Sequence, residues 1–195
     1  ITYLAQDVHL DLEVAIKEYF PSELAVRSPD GHVQPRSRAE PAVVRFHAGL
    51  RRFVEEARAL ATFRHPNIVR VLRYFEAQGT ACIVMEYETG QPLRRWMQGR
   101  LPLTQQTLLS IVLPLLDGLD AVHEAGFLHR DIKPDNIFVR TNGSPVLLDF
   151  GAARRVCAGG ALTNIVSPGF APFEQYHSRD RQGGWTDIYS NGAVM

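Results

Sequence analysis

The densest run of chemically competent side chains is His129-Arg130-Asp131-Ile132-Lys133-Pro134-Asp135-Asn136. An aspartate, a lysine two positions on and an asparagine five positions on put an acceptor, a cation and a metal-ligating amide on one rigid turn. Downstream, Val146-Leu147-Leu148 reads as a buried strand that ends in Asp149-Phe150-Gly151. A carboxylate at a strand end, beside a residue free to adopt unusual backbone angles, suits a site for a hard cation next to a movable segment. Near the start, Val14-Ala15-Ile16-Lys17 sets a small side chain and a lysine on one face of a strand. That leaves a flat surface with a charge beside it, which is odd for a simple core strand. Glu56 borders a helical apolar stripe and faces partly inward, although a helix glutamate is ordinarily a solvated charge.

The elements that must position these groups follow from periodicity. Leu12 to Phe20 alternates with period two and reads as a strand. Pro21 to Glu40 is irregular, with Ser28 to Gly31 as a turn signal, and reads as a small hairpin or a mobile loop. Its arginines, with Arg45 just beyond, read as a solvated loop rather than a docking surface. Between Val43 and Phe63, residues Phe46, Leu50, Phe53, Ala57 and Leu60 recur at helical spacing and predict an amphipathic helix. Two strands are expected at Ile68 to Glu76 and Thr80 to Tyr87, with a turn at Gln78-Gly79. Glu88 to Gln91 is a polar connector, read as a hinge between lobes. A second helical stripe, Leu108, Val112, Leu115, Leu119 and Val122, opens at Thr104 as N-cap and closes at Gly126. Strands first and helices after give an α+β, two-lobed chain.

Composition sets the outer limits. The 195 residues carry 21 basic and 21 acidic side chains, so net charge is zero and neither nucleic acid nor a membrane surface is called for. Cys82 and Cys157 are too few for a disulfide framework or a zinc site. Cys82 reads as core and Cys157 as exposed. The longest apolar stretch, Leu108 to Leu116, is interrupted by Ser110 and Pro114 and falls short of the ~20 residues that span a bilayer. Neither end reads as a natural terminus, since Ile1 lies inside a strand pattern and Met195 inside an apolar run.

Taken in order, Val14-Ala15-Ile16-Lys17, the His129 to Asn136 loop and Asp149-Phe150-Gly151 resemble the signatures of the protein kinase family, over nearly the whole chain. Lys133-Pro134 and the stretch Pro168 to Glu174 resemble the serine/threonine class, and Ile1 to Ala5, Val14 to Pro21 and Phe170 to Tyr176 resemble a bacterial branch of it. The resemblance implies an α+β, two-lobed kinase-like fold truncated at both ends. Residues 1–87 would form a small antiparallel sheet lobe with one helix, lacking the first strand and the Gly-rich loop. Residues 88–195 would form a larger, mainly helical lobe lacking its final helices.

It also implies site residues for ATP and Mg²⁺. Lys17 would hold the α- and β-phosphates, and Glu56 would hold Lys17. Asp131 would orient the substrate hydroxyl and accept its proton, Lys133 would neutralise the γ-phosphate, and Asn136 and Asp149 would bind two Mg²⁺ ions. Ala15 and Phe138 would sandwich the adenine ring, while Met85 to Tyr87, with Glu86 and Tyr87 among them, would read its edge. Ser167 would contact the incoming hydroxyl residue and Asp131, Asp187 would brace the loop backbone, and a phosphate on Thr163 would pair with Arg130 and order the segment.

The implied activity is transfer of phosphate to Ser and Thr hydroxyls of protein substrates by a cytoplasmic catalytic domain, possible anchors lying elsewhere. The alternative is a pseudokinase that keeps the fold as a binding module. A small-molecule phosphotransferase is disfavoured by Lys133-Pro134 and the segment ending at Glu174. The chain departs from the pattern at Phe173, where proline is usual, and at Thr2, where valine is usual. Glu174, without the arginine it ordinarily meets, is expected to be a buried, unpaired carboxylate that leaves the chain poorly stable.

Overall fold

Period-two alternation and one helical stripe share the first part of the chain, and the structure, a computed structural model, resolves them into a sheet with a long helix packed on it. Residues 1–155, 166–177 and 181–195 are described. They divide into two compact units, one of residues 1–62 and 70–87, the other of residues 63–69 and 88–195.

In the first unit, strands β1 (Thr2–Asp7), β2 (Leu12–Glu18), β5 (Val71–Ala77) and β6 (Thr80–Glu86) form an antiparallel sheet in the order β1-β2-β6-β5. Lys17 pairs with Thr2 on one side and Ile83 on the other, so the strand that carries it is central. Helix α1 (Glu40–Leu60) lies against β5 and β6 and buries Phe46, Phe53, Val54, Ala57 and Leu60. The predicted stripe is thus the packed face, with Leu50 only half-buried and Val54 added. The turn at Gln78-Gly79 forms with both residues at positive φ, 48° and 76°.

Of the two readings of Pro21 to Glu40, the structure has the small hairpin. Strands β3 (Ala25–Arg27) and β4 (Val33–Pro35) pair as a hairpin, closed by the Gly31 N–H donating to the Ser28 carbonyl at 2.9 Å. Ala25 and Val33 are 0% and 1% exposed and seal against Phe46, with Tyr19 and Phe20 beside them. Arg27 donates to both oxygens of the buried Glu18 at 2.7 and 2.8 Å, so this arginine is a structural tie. Strands of three residues are too short to show alternation, which is why the segment looked irregular.

In the second unit, β7 (Gly90–Pro92), β9 (Ile137–Arg140) and β10 (Pro145–Leu147) form a small sheet in the order β10-β9-β7. Strand β8 (Phe127–Leu128) pairs with β11 (Arg154–Arg155). The helices are α2 (Leu93–Met97), α3 (Gln105–Glu124) and α4 (Gly184–Ala193). Thr104 caps α3 by accepting the Thr107 N–H at 3.2 Å, and Gly126 leaves the helix at φ 77°. The α3 stripe buries Ile111, Val112, Leu115, Leu119 and Val122 under β8 and β10.

The run expected as one strand from Ile68 to Glu76 is divided. Ile68 and Val69 belong to the second unit, where Ile68 bridges Leu147 and the Val69 N–H donates to the Leu147 carbonyl at 3.0 Å, and β5 begins only at Val71. Cys82, expected in the core, is half-buried on β6, and partial burial raises its thiol pKa. Cys157 lies outside the described residues.

Leu119 is fully enclosed while Leu113 on the same helix is 52% exposed. Leu119→Ala is expected to cost about 2–5 kcal/mol and Leu113→Ala under about 0.5 kcal/mol in urea unfolding.

Candidate active site

Each unit holds a separate set of polar groups. In the first, the pleat of β2 puts Ala15 and Lys17 on one face, and α1 brings Glu56 to it. Lys17 Nζ lies 3.0 Å from Glu56 Oε1, with the glutamate side chain 7% exposed and the lysine 22%. A carboxylate this enclosed is costly without a cation, so the pair is a requirement of the packing rather than a surface ornament. The Phe53 ring, one turn before Glu56, has its centroid 5.7 Å from Nζ. At the end of β6 the Glu86 N–H donates to the Arg70 carbonyl at 3.0 Å and its carboxylate pairs with Arg70, so that amide is committed within the unit. Tyr87 is exposed.

The second set is built on the loop between β8 and β9. Asp187 on α4 is 0% exposed, and its two oxygens accept the backbone N–H groups of His129 and Arg130 at 2.8 and 2.7 Å. His123 adds a third bond to it at 2.8 Å. Arg130 sits at φ 69°, a left-handed conformation that costs a non-glycine residue energy and persists only where surroundings enforce it. Gln175 also donates to the Arg130 carbonyl at 2.8 Å. The loop therefore leaves Arg130 pointing one way along a fixed backbone, and Asp131 follows.

The Asp131 carboxylate is held on three sides. Lys133 Nζ donates at 2.8 and 3.0 Å, Asn136 Nδ2 at 2.8 Å, and the Ser167 hydroxyl donates to Oδ1 at 2.5 Å. Lys133 Nζ also reaches Ser167 Oγ at 3.0 Å. Ser167 thus meets Asp131, as the resemblance implied. Asn136 spends its NH₂ on the Asp131 carbonyl and carboxylate, so its Oδ1 is the atom that remains to ligate a cation. The Leu148 N–H donates to the Asn136 carbonyl at 2.8 Å, which sets the start of Asp149-Phe150-Gly151 beside this loop. Asp149 is exposed, lies at φ 52°, and accepts the Gly151 N–H at 3.1 Å. Phe138 is half-buried on β9 and faces away from the enclosed Ile137 and Val139. Two oxygen-bearing side chains fit Mg²⁺, which keeps waters and phosphate oxygens as its other ligands. Among the described residues there is no cluster of three acidic, His or Cys side chains that would hold a metal by protein alone.

Beneath the loop, His129 is fully buried with its ring 4.4 Å from that of Phe150, which in turn stacks on Phe63 at 6.1 Å. Its Nδ1 accepts the Asp131 N–H at 3.2 Å and its Nε2 faces the Leu148 carbonyl at 3.0 Å, an arrangement that suits the neutral ring protonated on Nε2. Desolvation lowers its pKa, outweighing Asp187 nearby.

Arg130 is 2% exposed, with Nε donating to Gln182 at 2.7 Å and Nη1 to the Ala152 carbonyl at 3.3 Å. The expected pairing of Arg130 with a phosphate on Thr163 falls on a residue outside the described ones. Glu174 is half-buried rather than buried and accepts the Thr186 hydroxyl at 2.9 Å, which corrects the expectation of a buried carboxylate without a partner. Sequence reasoning missed Gln175 and Gln182 as partners of Arg130 and Phe63 as partner of Phe150. No local pattern marks a side chain whose partner is remote in sequence.

The family described as Protein kinase domain matches residues 39–195. The chain is 36% identical over 160 residues to a probable serine/threonine-protein kinase PknB of Bifidobacterium longum, covering 75% of this chain and 23% of that protein. It is 38% identical over 152 residues to serine/threonine-protein kinase PknK of Mycobacterium tuberculosis, covering 75% and 13%. The chain therefore spans less than a quarter of the length of these curated relatives. A solved structure titled "PpkA-294 apo form" superposes with TM-score 0.86 at 40% identity, covering all of this chain and 68% of that one. The α+β, kinase-like fold expected from the motifs is thereby established.

The lowered pKa of His129 has a signed consequence. Below about pH 6.5, the ordinary histidine value, the unfolded chain takes up a proton that the folded chain refuses, so stability falls as the pH drops toward the folded value. Thermal melting between pH 7.5 and 5 should show this decline, and His129→Gln should flatten its slope whatever its own effect on the melting temperature.

Proposed function

Because the chain belongs to the protein kinase domain family, we propose that it carries the catalytic part of a bacterial-type serine/threonine protein kinase, moving the γ-phosphate of ATP to Ser and Thr hydroxyls of proteins. The observation that supports this most directly is the Asp131 carboxylate, fixed by Lys133 and Asn136 with the Ser167 hydroxyl donating to it at 2.5 Å. A substrate hydroxyl donating to the same carboxylate would be oriented for attack and would hand over its proton there. The new bond runs from that hydroxyl oxygen to the γ-phosphorus, and the bond to the β,γ-bridging oxygen breaks, releasing ADP.

Phosphoryl transfer asks a protein for positioning and charge neutralisation more than for covalent chemistry. Lys133, already beside Asp131, would offset charge on the γ-phosphate. Lys17, braced by Glu56, would hold the α- and β-phosphates. Asn136 Oδ1 and the Asp149 carboxylate would hold Mg²⁺, which when bound neutralises phosphate charge. Ala15 and Phe138 would contact the faces of the adenine, with Glu86 and Tyr87 at its edge. A kinase that draws on ATP would act in the cytoplasm. Among the described residues no helix is long and apolar enough to cross a membrane. Lys17, Asp131, Asn136 and Asp149 are all present, and no observation favours a pseudokinase.

The test is transfer from labelled ATP to the protein itself and to generic Ser/Thr substrates. Asp131→Ala and Lys17→Ala are each expected to lower transfer by about a hundred-fold or more, and chelation of divalent cations to abolish it. Undiminished labelling in both variants would remove the proposal.

A further inference from the structure

Glycine in a helix interior is the least favourable choice short of proline, yet Gly49 stands in the middle of α1 with ordinary helical φ. The explanation lies opposite it. A Cβ on Gly49 would collide with the Tyr19 hydroxyl and come to 3.0 Å of Tyr19 Cζ. Tyr19 uses that close approach to donate its hydroxyl to the Phe46 carbonyl at 3.0 Å. Its ring also meets those of Phe46 and Phe53, with centroids 5.4 and 5.7 Å away.

Phe46, Gly49, Phe53 and Glu56 are spaced three, four and three apart and so share one face of α1. Opposite that face stand Lys17 and Tyr19, two apart on a strand whose ladder continues through the Tyr19 N–H to the Ala81 carbonyl at 2.9 Å. The chain of contacts is unbroken: Tyr19 against Phe46 and Phe53, Phe53 against the Lys17 ammonium, and the ammonium against Glu56. From the far side, the β3–β4 hairpin closes Ala25 and Val33 onto Phe46, and Arg27 ties that hairpin to Glu18, the residue between Lys17 and Tyr19.

We propose that Tyr19, Gly49 and Phe53 are positioning residues: they latch the N-terminal half of α1 to the lysine strand and so hold Glu56 and the Phe53 ring against the Lys17 ammonium. This rests on the reading of Lys17 as the phosphate-binding group. The latch is built wholly from the first unit's own residues, including the hairpin of residues 21–38.

The experiment compares the protein with Gly49→Ala, Tyr19→Phe and the double variant, using two readouts. One is KM for ATP against kcat. The other is acetylation of the Lys17 amine by acetic anhydride, read by mass spectrometry, which needs no catalysis. Gly49→Ala should push α1 off Tyr19, raise KM for ATP by about ten-fold and speed Lys17 acetylation as the ion pair opens. Tyr19→Phe should do less, losing one hydrogen bond. The double variant should recover much of the wild-type behaviour on both readouts, because the colliding oxygen is gone. Leu119→Ala, which destabilises the second unit, should leave Lys17 acetylation unchanged in the folded protein. Gly49→Ala with wild-type KM and acetylation, or a double variant no better than Gly49→Ala, would overturn the latch. Asp131→Ala with undiminished transfer would instead overturn the kinase reading and leave the acetylation result to judge the latch by itself.

Discussion

A carboxylate sealed from water, Asp187, governs the backbone of the loop that carries Asp131. Its charge is tolerable only because two backbone N–H groups and His123 satisfy it, and breaking up such an arrangement typically costs about 3–5 kcal/mol. Those two N–H groups belong to His129 and Arg130, so satisfying Asp187 dictates the backbone just before Asp131. The left-handed Arg130 is the visible consequence. Gln175 on the Arg130 carbonyl and Gln182 on its guanidinium fix the same residue from other directions. Asp131 follows this constrained backbone, and Lys133, Asn136 and Ser167 orient its carboxylate.

The same economy recurs at Asn136 and at the lysine of the first unit. Asn136 turns its amide nitrogen inward to the Asp131 carbonyl and carboxylate, which fixes the direction of its oxygen. The enclosed Glu56 carboxylate pairs with Lys17, and the aromatic face of α1 adds a second constraint on the ammonium through Phe53. At both places contacts within the scaffold fix a polar group, the kind of preorganisation that phosphoryl transfer would reward.

The hairpin of residues 21–38 shows how little sequence is needed to change a mechanical property. Two three-residue strands bury only Ala25 and Val33, yet they enclose Phe46 and fasten one end of the helix that bears Glu56. Had the segment been the solvated loop that its arginines suggested, Phe46 at that end of α1 would keep Tyr19 and Phe20 but lose Ala25 and Val33.

What the sequence determined by itself were features written at short range. Period-two and helical spacings located β2, β6, α1 and α3, a cap residue and a glycine marked the ends of α3, and motif spacing picked out Lys17, Asp131, Lys133, Asn136 and Asp149. These rest on neighbours within a few positions, where backbone geometry by itself relates one side chain to the next. The tertiary structure decided the rest: Arg130 buried against Gln182, Glu174 bonded to Thr186, Ile68 taken from β5 into the second unit, and Gly49 explained by Tyr19. Those pairings join residues that local periodicity leaves unrelated; Arg130 and Asp187 lie 57 positions apart. Which of many polar side chains meets which becomes definite only when the folded chain removes water and every buried donor and acceptor must find a partner.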